Sequence, residues 1–124
     1  MTVQELYTAI GGNYESALRV MQLDKLISKF IIKFTADGSF ARLREGWDAR
    51  DIAEVFEGAH ALKGVCANLG LDEMFAAASE LAEEFRPGNE RTQDDNAVGE
   101  KVDKLAALHR RTVESIREYE KSLS

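Results

Sequence analysis

Apolar residues recur at spacings of three and four along most of the chain, the spacing that places side chains on one face of an α-helix. The clearest stripe ends near Asp37-Gly38 and consists of Leu23, Leu26, Ile27, Phe30, Ile31 and Phe34. No segment shows the sustained alternation of apolar and polar residues, bounded by hairpin dipeptides, that is typical of paired strands. The pattern therefore predicts an all-α protein.

Two long helices are predicted in the middle of the chain. Asp48 is a candidate N-cap for the first, with Asp51 near its positive end, and Gly70 is suited to the left-handed conformation that ends a helix. The apolar stripe of this helix is Ile52, Val55, Phe56, Ala59, Leu62, Cys66 and Leu69. The second helix is expected over Leu71–Arg86, because Pro87-Gly88 stops it. The short link predicts that the two helices are antiparallel neighbours.

Shorter elements are predicted on either side of this pair. Two short helices, Thr2–Ile10 and Asn13–Met21, are separated by Gly11-Gly12. A short helix that begins near Phe40 is expected to end at Gly46. After the second long helix we expect an exposed polar loop and then a last long helix, from about Ala97 to Ser122.

These elements predict an up-down four-helix bundle with additional short N-terminal helices. The bundle core is expected over about residues 23–122, and a helical cap over about residues 2–21. A chain of 124 residues buries roughly two thirds of its unfolded surface, so we expect a single domain over residues 1–124. The N-terminal segment is either a cap on the bundle or part of a docking surface, and the sequence leaves both open.

Composition and charge exclude several classes of protein. No apolar run approaches the roughly 20 residues of a membrane span, and the N-terminus lacks the pattern of a signal peptide, so we expect a cytoplasmic protein. The net charge of −6 argues against nonspecific binding to nucleic acid or to an anionic membrane. The chain has no phosphate-binding loop and no kinase glycine motif, so it is not expected to be an enzyme that phosphorylates itself from ATP.

The candidate chemistry lies on the first long helix. At about 100° per residue, His60 falls roughly 120° from the centre of the apolar stripe, at the border with solvent. Lys63 and Gly64 lie on the next turn beside the imidazole, and Ala67 lies one turn further. A neutral imidazole offers a nucleophilic nitrogen near neutral pH, a lysine can attract phosphoryl oxygens, and a glycine leaves room for them.

Each of these residues also has an ordinary interpretation. Gly64 in the middle of a helix is equally typical of close helix packing, and Lys63 of surface charge. Cys66 lies on the apolar stripe, has no cysteine to pair with, and is interpreted as an inert core residue. His109, followed by Arg110-Arg111, has no comparable set of neighbours, and we interpret it as a surface residue.

The complete string of residues favours the chemical interpretation. Ala59-His60-Ala61-Leu62-Lys63-Gly64, followed by Asn68-Leu69-Gly70, closely resembles the signature of the histidine-containing phosphotransfer (HPt) domain family. A Gly-Trp-Asp turn before this helix, a Leu-Asp-Glu-Met start to the next one and a final long helix also resemble stand-alone HPt proteins. The chain departs from the family at Val65 and Cys66, where small or hydroxylated residues are common.

The resemblance implies a phosphoryl carrier in a two-component phosphorelay. A receiver domain of a response regulator would dock against His60, the Nε2 atom would accept a phosphoryl group from the receiver's aspartate, and the group would pass to another receiver. Lys63 would assist by its charge and Gly64 by the room it leaves, while Phe56 and Ala67 would contact the partner. No cofactor is expected in this chain, because the family pattern places Mg²⁺ in the receiver. The expected partners are receiver domains and a hybrid histidine kinase, and a monomer suffices.

Three alternatives remain at the level of the sequence. The chain could be a helical interaction module that binds or sequesters a receiver without transferring phosphate. It could be a phosphotransfer domain cut from a hybrid or chemotaxis-type kinase. A metal or haem site built on His60 and His109 is a weaker alternative, because no local pair of ligands supports it.

Overall fold

The computed structural model describes residues 1–124 and contains seven α-helices and no strand. In chain order the helices are α1 (Val3–Ile10), α2 (Tyr14–Met21), α3 (Asp24–Phe34), α4 (Ser39–Asp48), α5 (Ile52–Leu69), α6 (Asp72–Glu84) and α7 (Asp95–Ser122). The prediction of an all-α fold is confirmed. No helix has both the length and the apolar composition needed to cross a lipid bilayer.

The bundle is formed by α3 together with α4, then α5, α6 and α7. Ser28 of α3 hydrogen-bonds Tyr119 near the end of α7 at 2.7 Å, while Phe34 and Phe40 both pack against His109 in the middle of α7. Early residues of α3 thus contact late residues of α7, so these two helices are antiparallel. The same holds for α4, because Phe40 at its start contacts His109 while Trp47 near its end lies beside Gly99. The up-down bundle is thus as predicted, except that its first leg is two helices, and α4 rather than α3 is the main neighbour of α5.

Two glycines bring α4 and α5 close together. A Cβ atom added to Gly58 of α5 would lie 2.5 Å from the backbone nitrogen of Leu43, and one added to Gly46 of α4 would lie 2.9 Å from that of Val55. Neither contact is possible for a larger residue without a shift of the backbone. Gly46 therefore serves helix packing, and our prediction that it ends its helix is wrong, because α4 continues to Asp48.

The start of α5 also differs from its prediction. Asp48 is the last residue of α4, and the N-cap of α5 is Asp51, whose side chain accepts a hydrogen bond from the backbone of Glu54 at 3.3 Å. The one-turn shift follows from the extension of α4 past Gly46. The predicted end of α5 is confirmed, since Gly70 has a left-handed backbone with φ of 66°.

Both ends of the connection between α6 and α7 lie two residues earlier than predicted: α6 ends at Glu84 instead of Arg86, and α7 begins at Asp95 instead of about Ala97. The helix α6 ends at Glu84, whose buried carboxylate accepts hydrogen bonds from the backbone of Thr92 and Gln93 at 2.7 and 2.8 Å. Asp94 caps α7 by accepting from the backbone of Ala97 at 2.8 Å. The connection is therefore held to the end of α6 rather than extended into solvent.

The N-terminal helices share the hydrophobic core of the bundle. Leu6, Tyr7 and Ala17 are buried in the same apolar cluster as the residues of α5, α6 and α7. The Tyr7 hydroxyl donates to the carbonyl of Leu69 at 2.7 Å, and the backbone of Gly70 accepts from that of Asn13 at 2.7 Å. The segment before residue 22 thus closes the end of the bundle where α5 turns into α6.

Candidate functional site

His60 is exposed on the outer side of α5. The opposite face of this helix is buried in the core through Val55, Ala59, Leu62 and Cys66. The imidazole ring stacks against the ring of Phe56, one turn earlier, with 5.7 Å between the ring centroids and 19° between the planes. One side of the imidazole is therefore supported by a half-buried aromatic ring, while the residue remains accessible to a partner.

Lys63 lies on the turn after His60 and is partly exposed. Its ammonium group forms no hydrogen bond and no ion pair within 4.0 Å. Lysine side chains on a helix lean towards its N-terminus, which here is the direction of His60. The charge of Lys63 is therefore available to an anionic group on the imidazole.

Gly64 is exposed, and an added Cβ atom there would meet no other atom within 4 Å. Close helix packing, the ordinary explanation of a glycine in a helix, therefore does not apply to Gly64. It does apply to Gly58, six residues earlier on the same helix, which touches the backbone of Leu43. The cost of about 1 kcal/mol for a helical glycine relative to alanine has no packing benefit at position 64.

The remaining predicted site residue, Ala67, is exposed one turn beyond Gly64. Phe56, His60, Lys63, Gly64 and Ala67 thus occupy four successive turns on one side of α5, and we call this surface the His60 face. Beyond the imidazole, towards the C-terminal end of α5, the His60 face consists of Lys63 and two small residues, Gly64 and Ala67. It can therefore admit a group bound to His60 or a loop of a partner.

The family of the chain follows from a comparison with known domains. The profile of the Hpt domain matches residues 31–117, which is more than half of the chain and includes the whole His60 face. The chain belongs to the Hpt domain family. Hpt domains are phosphocarrier modules of phosphorelays that lack kinase activity and interact with receiver domains and histidine kinases. No curated protein and no solved structure gives a significant match.

An apolar groove of about 430 Å³ lies beside the His60 face of this Hpt domain. Residues of α2, α3 and α5 line it, among them Val20, Met21, Phe30, Val65, Asn68 and Leu69. Val20 and Phe30 are 52% and 39% exposed, so the groove presents apolar side chains to a partner. The groove adjoins Ala67 through Asn68, the next residue on α5.

Sequence reasoning missed this groove because it assigned Phe30 and Leu23 to the core-facing stripe of α3. Both residues are exposed, whereas Ile27, Ile31 and Phe34 are buried. The stripe includes six of the twelve residues from 23 to 34, which is more than a single buried face of a helix holds. This excess of apolar residues was the signal in the sequence that some of them are exposed.

The second histidine packs against the edge of the core of the Hpt domain and is only half-exposed. His109 is half-buried between Phe34 and Phe40, with ring centroids 5.6 and 4.9 Å away. Burial lowers the pKa of His109, and the negative charge of Asp37 opposes this effect only in part. Our interpretation of His109 as a surface residue is therefore wrong. The sequence could not reveal the contacts of His109 with Phe34 and Phe40, because they form only when α3, α4 and α7 meet.

Cys66 is completely buried, and burial, together with the charge of Asp37, raises the pKa of its thiol to about 12. A thiol with this pKa stays protonated at neutral pH and is a poor nucleophile. The interpretation of Cys66 as a core residue is confirmed. The structure contains no group of three or more His, Cys, Asp or Glu side chains arranged to hold a metal ion.

Proposed function

We propose that His60 accepts a phosphoryl group from the phospho-aspartate of one receiver domain and passes it to the aspartate of another. The observation that supports this most directly is the combination of an exposed imidazole with an open glycine on the next turn, within the region that matches the Hpt domain. Because His60, Gly64 and Ala67 are exposed, this face is accessible for exchange with several partners.

The transfer itself needs one free electron pair on the imidazole. In the neutral ring one nitrogen carries the proton and the other is free to attack. Nε2 is the atom farther from the helix backbone, so a phosphoryl group on Nε2 has the most room. As the bond from phosphorus to Nε2 forms, the bond from phosphorus to the aspartate oxygen breaks and the carboxylate leaves. The onward step is the same exchange in reverse with a second receiver.

Lys63 and Gly64 have separate tasks in this proposal. Phosphoryl transfer depends mainly on positioning and on neutralising the oxygens of the group, and Lys63 supplies a positive charge on the correct turn. Gly64 keeps the space beside the phosphoryl oxygens open. We assign Mg²⁺ and its carboxylates to the receiver.

The apolar groove is the proposed continuation of the docking surface. A partner interface of standard size covers about 800 Å² on each side, which is far more than the His60 face alone offers. A receiver that reaches His60 can extend over Ala67 and Asn68 to Val20 and Phe30. Apolar contacts there would provide affinity, while the reacting groups meet at His60.

A panel of purified receivers, each phosphorylated on its aspartate with a labelled group, tests the proposal. We expect at least one receiver to transfer label to the wild-type chain, as phosphate that is acid-labile and base-stable. Binding of receivers with no transfer from any of them would contradict the proposal and favour a module that only sequesters its partner.

A further inference from the structure

Phe56 is the aromatic neighbour of His60 on α5. It lies one turn before the histidine, with 5.7 Å between the ring centroids and 19° between the ring planes. These values are typical of offset-stacked aromatic pairs. Side chains on a helix lean towards its N-terminus, so the imidazole lies over Phe56 and the space around Gly64 stays open. One face of the imidazole is therefore covered by an aromatic ring.

Phe56 is itself held by the core of the domain. The residue is half-buried and packs against the main apolar cluster, whereas His60 is exposed. An anchored ring loses little further freedom when a second ring stacks on it, so the contact costs little conformational entropy. Phe56 thus offers the imidazole a supported surface.

The imidazole has no polar partner that could hold it in place instead. Neither ring nitrogen of His60 forms a hydrogen bond or an ion pair within the protein. Reactive histidines are commonly oriented by a hydrogen bond to the second ring nitrogen. In this domain the stacked contact with Phe56 is the aromatic or polar contact that restrains the ring.

The stacked ring also bears on the reaction. When the electron pair of Nε2 forms the bond to phosphorus, the bond from phosphorus to the leaving group breaks, and its electron pair stays with that group. The imidazole gains positive charge, since Nδ1 still carries its proton, which then passes to water. The face of a phenylalanine ring is negative and attracts a cation that lies over it.

We propose that Phe56 is a positioning residue for His60, which holds the imidazole by stacking and favours the positive charge that the ring gains on phosphoryl transfer. This inference rests on the proposed function of His60. It gives Phe56 a task that differs from a contact with the partner. A partner contact matters only when a receiver is the donor, whereas a positioning residue affects the reaction with any donor.

A small donor without a protein surface separates the two roles. The wild type, Phe56→Leu, Phe56→Tyr and Phe75→Leu are incubated with phosphoramidate, whose leaving group is ammonia, and the label that His60→Gln lacks is followed over time. Leucine keeps apolar bulk without a ring, while tyrosine keeps the ring. Phe75 of α6 is the matched control, because it is also half-buried against the core but does not stack on His60.

We expect Phe56→Leu to be labelled roughly two- to five-fold more slowly than the wild type, the scale of a cation–π contact at an exposed site. Phe56→Tyr and Phe75→Leu should react at the wild-type rate. Phe56→Met, a second variant without a ring, should be slowed as much as Phe56→Leu. Urea unfolding of all variants shows whether a slower one has only lost stability, in which case Phe75→Leu would be slowed as well.

Equal labelling rates of the wild type and Phe56→Leu would overturn the inference alone, and so would equal slowing in Phe75→Leu or in Phe56→Tyr. A wild type that phosphoramidate labels on His60, but that receives no label from any phospho-receiver, would instead contradict the proposed function.

Discussion

Two glycines of α5 lack a side chain for different reasons. Gly58 lies against the backbone of Leu43, where a Cβ atom would come within 2.5 Å, while the space around Gly64 is empty. Only the geometry of the folded chain separates these two roles, because both glycines interrupt the same helix in the sequence. Substitutions at the two glycines can therefore test whether the open space at Gly64 matters for the chemistry of His60.

Alanine substitutions at the two glycines should therefore have opposite effects. Gly64→Ala should leave the free energy of unfolding unchanged or raise it by up to about 1 kcal/mol, because alanine is the better helix former, yet it should slow transfer to His60. Gly58→Ala should lower the free energy of unfolding, because α4 must move away. Urea unfolding and phosphorylation rates of both variants are the measurements. A destabilised Gly64→Ala with normal transfer would contradict the assignment.

The half-buried imidazole of His109 predicts a dependence of stability on pH. Its pKa is lowered in the folded protein, so the unfolded chain binds a proton more readily, and stability should fall as the pH drops below the unfolded value of about 6.5. Unfolding free energies at pH 7.5 and 5.5 should differ less in His109→Gln than in the wild type. An identical pH dependence in His109→Gln and the wild type would contradict this account.

At the scale of elements, the site depends on how α2 and α3 meet α5. The helix α3 buries Ile27, Ile31 and Phe34 but leaves Phe30 on the rim of the groove, where the ammonium groups of Lys29 and Lys33 lie 5.8 and 5.4 Å from its ring. Basic groups around an apolar side chain suit a partner with acidic and apolar residues. In the proposed function, the groove serves docking, while phosphoryl transfer takes place on the His60 face.

Truncation of Phe30 should affect docking without affecting the chemistry of His60. We expect Phe30→Ala to weaken binding of a cognate receiver about tenfold, and to leave labelling of His60 by phosphoramidate, a small phosphoryl donor, unchanged. Leu123→Ala is the control, because Leu123 is also an exposed apolar residue but lies at the C-terminal end of α7. Equal receiver affinity in wild type and Phe30→Ala would exclude the groove from the docking surface.

At the scale of the whole molecule, helix type and order were predictable because each helix has a stripe of apolar residues, and Gly70 was recognisable as a helix end. The break between α3 and α4 near Gly38 was predictable too, but not that both helices form one leg of the bundle, with α4 as the main neighbour of α5, because this depends on contacts between helices. The choice of Asp51 over Asp48 as N-cap depends on how far α4 extends, which the packing of Gly46 decides. The candidate site residues on α5 come from one local motif, whereas the groove forms only where α2, α3 and α5 meet.

The N-terminal helices should contribute to the stability of the whole fold. Tyr7 is buried and donates a hydrogen bond to Leu69, so Tyr7→Phe should lower the free energy of unfolding by about 1 to 2 kcal/mol. The loss should appear in a single urea transition, because α1 shares the core of the bundle. Tyr14→Phe, which removes an exposed hydrogen bond to Asp24, should cost less. A first transition for the N-terminal segment alone would contradict the shared core.

The central claim is that His60 is the residue that receives the phosphoryl group. The most direct measurement is transfer from one active phospho-receiver to the wild type, His60→Gln and His109→Gln, with the stability of the labelled phosphate tested in acid and in base. The account predicts acid-labile, base-stable label on the wild type and on His109→Gln, and none on His60→Gln, although this variant folds normally. Label on His60→Gln at the wild-type level would contradict it.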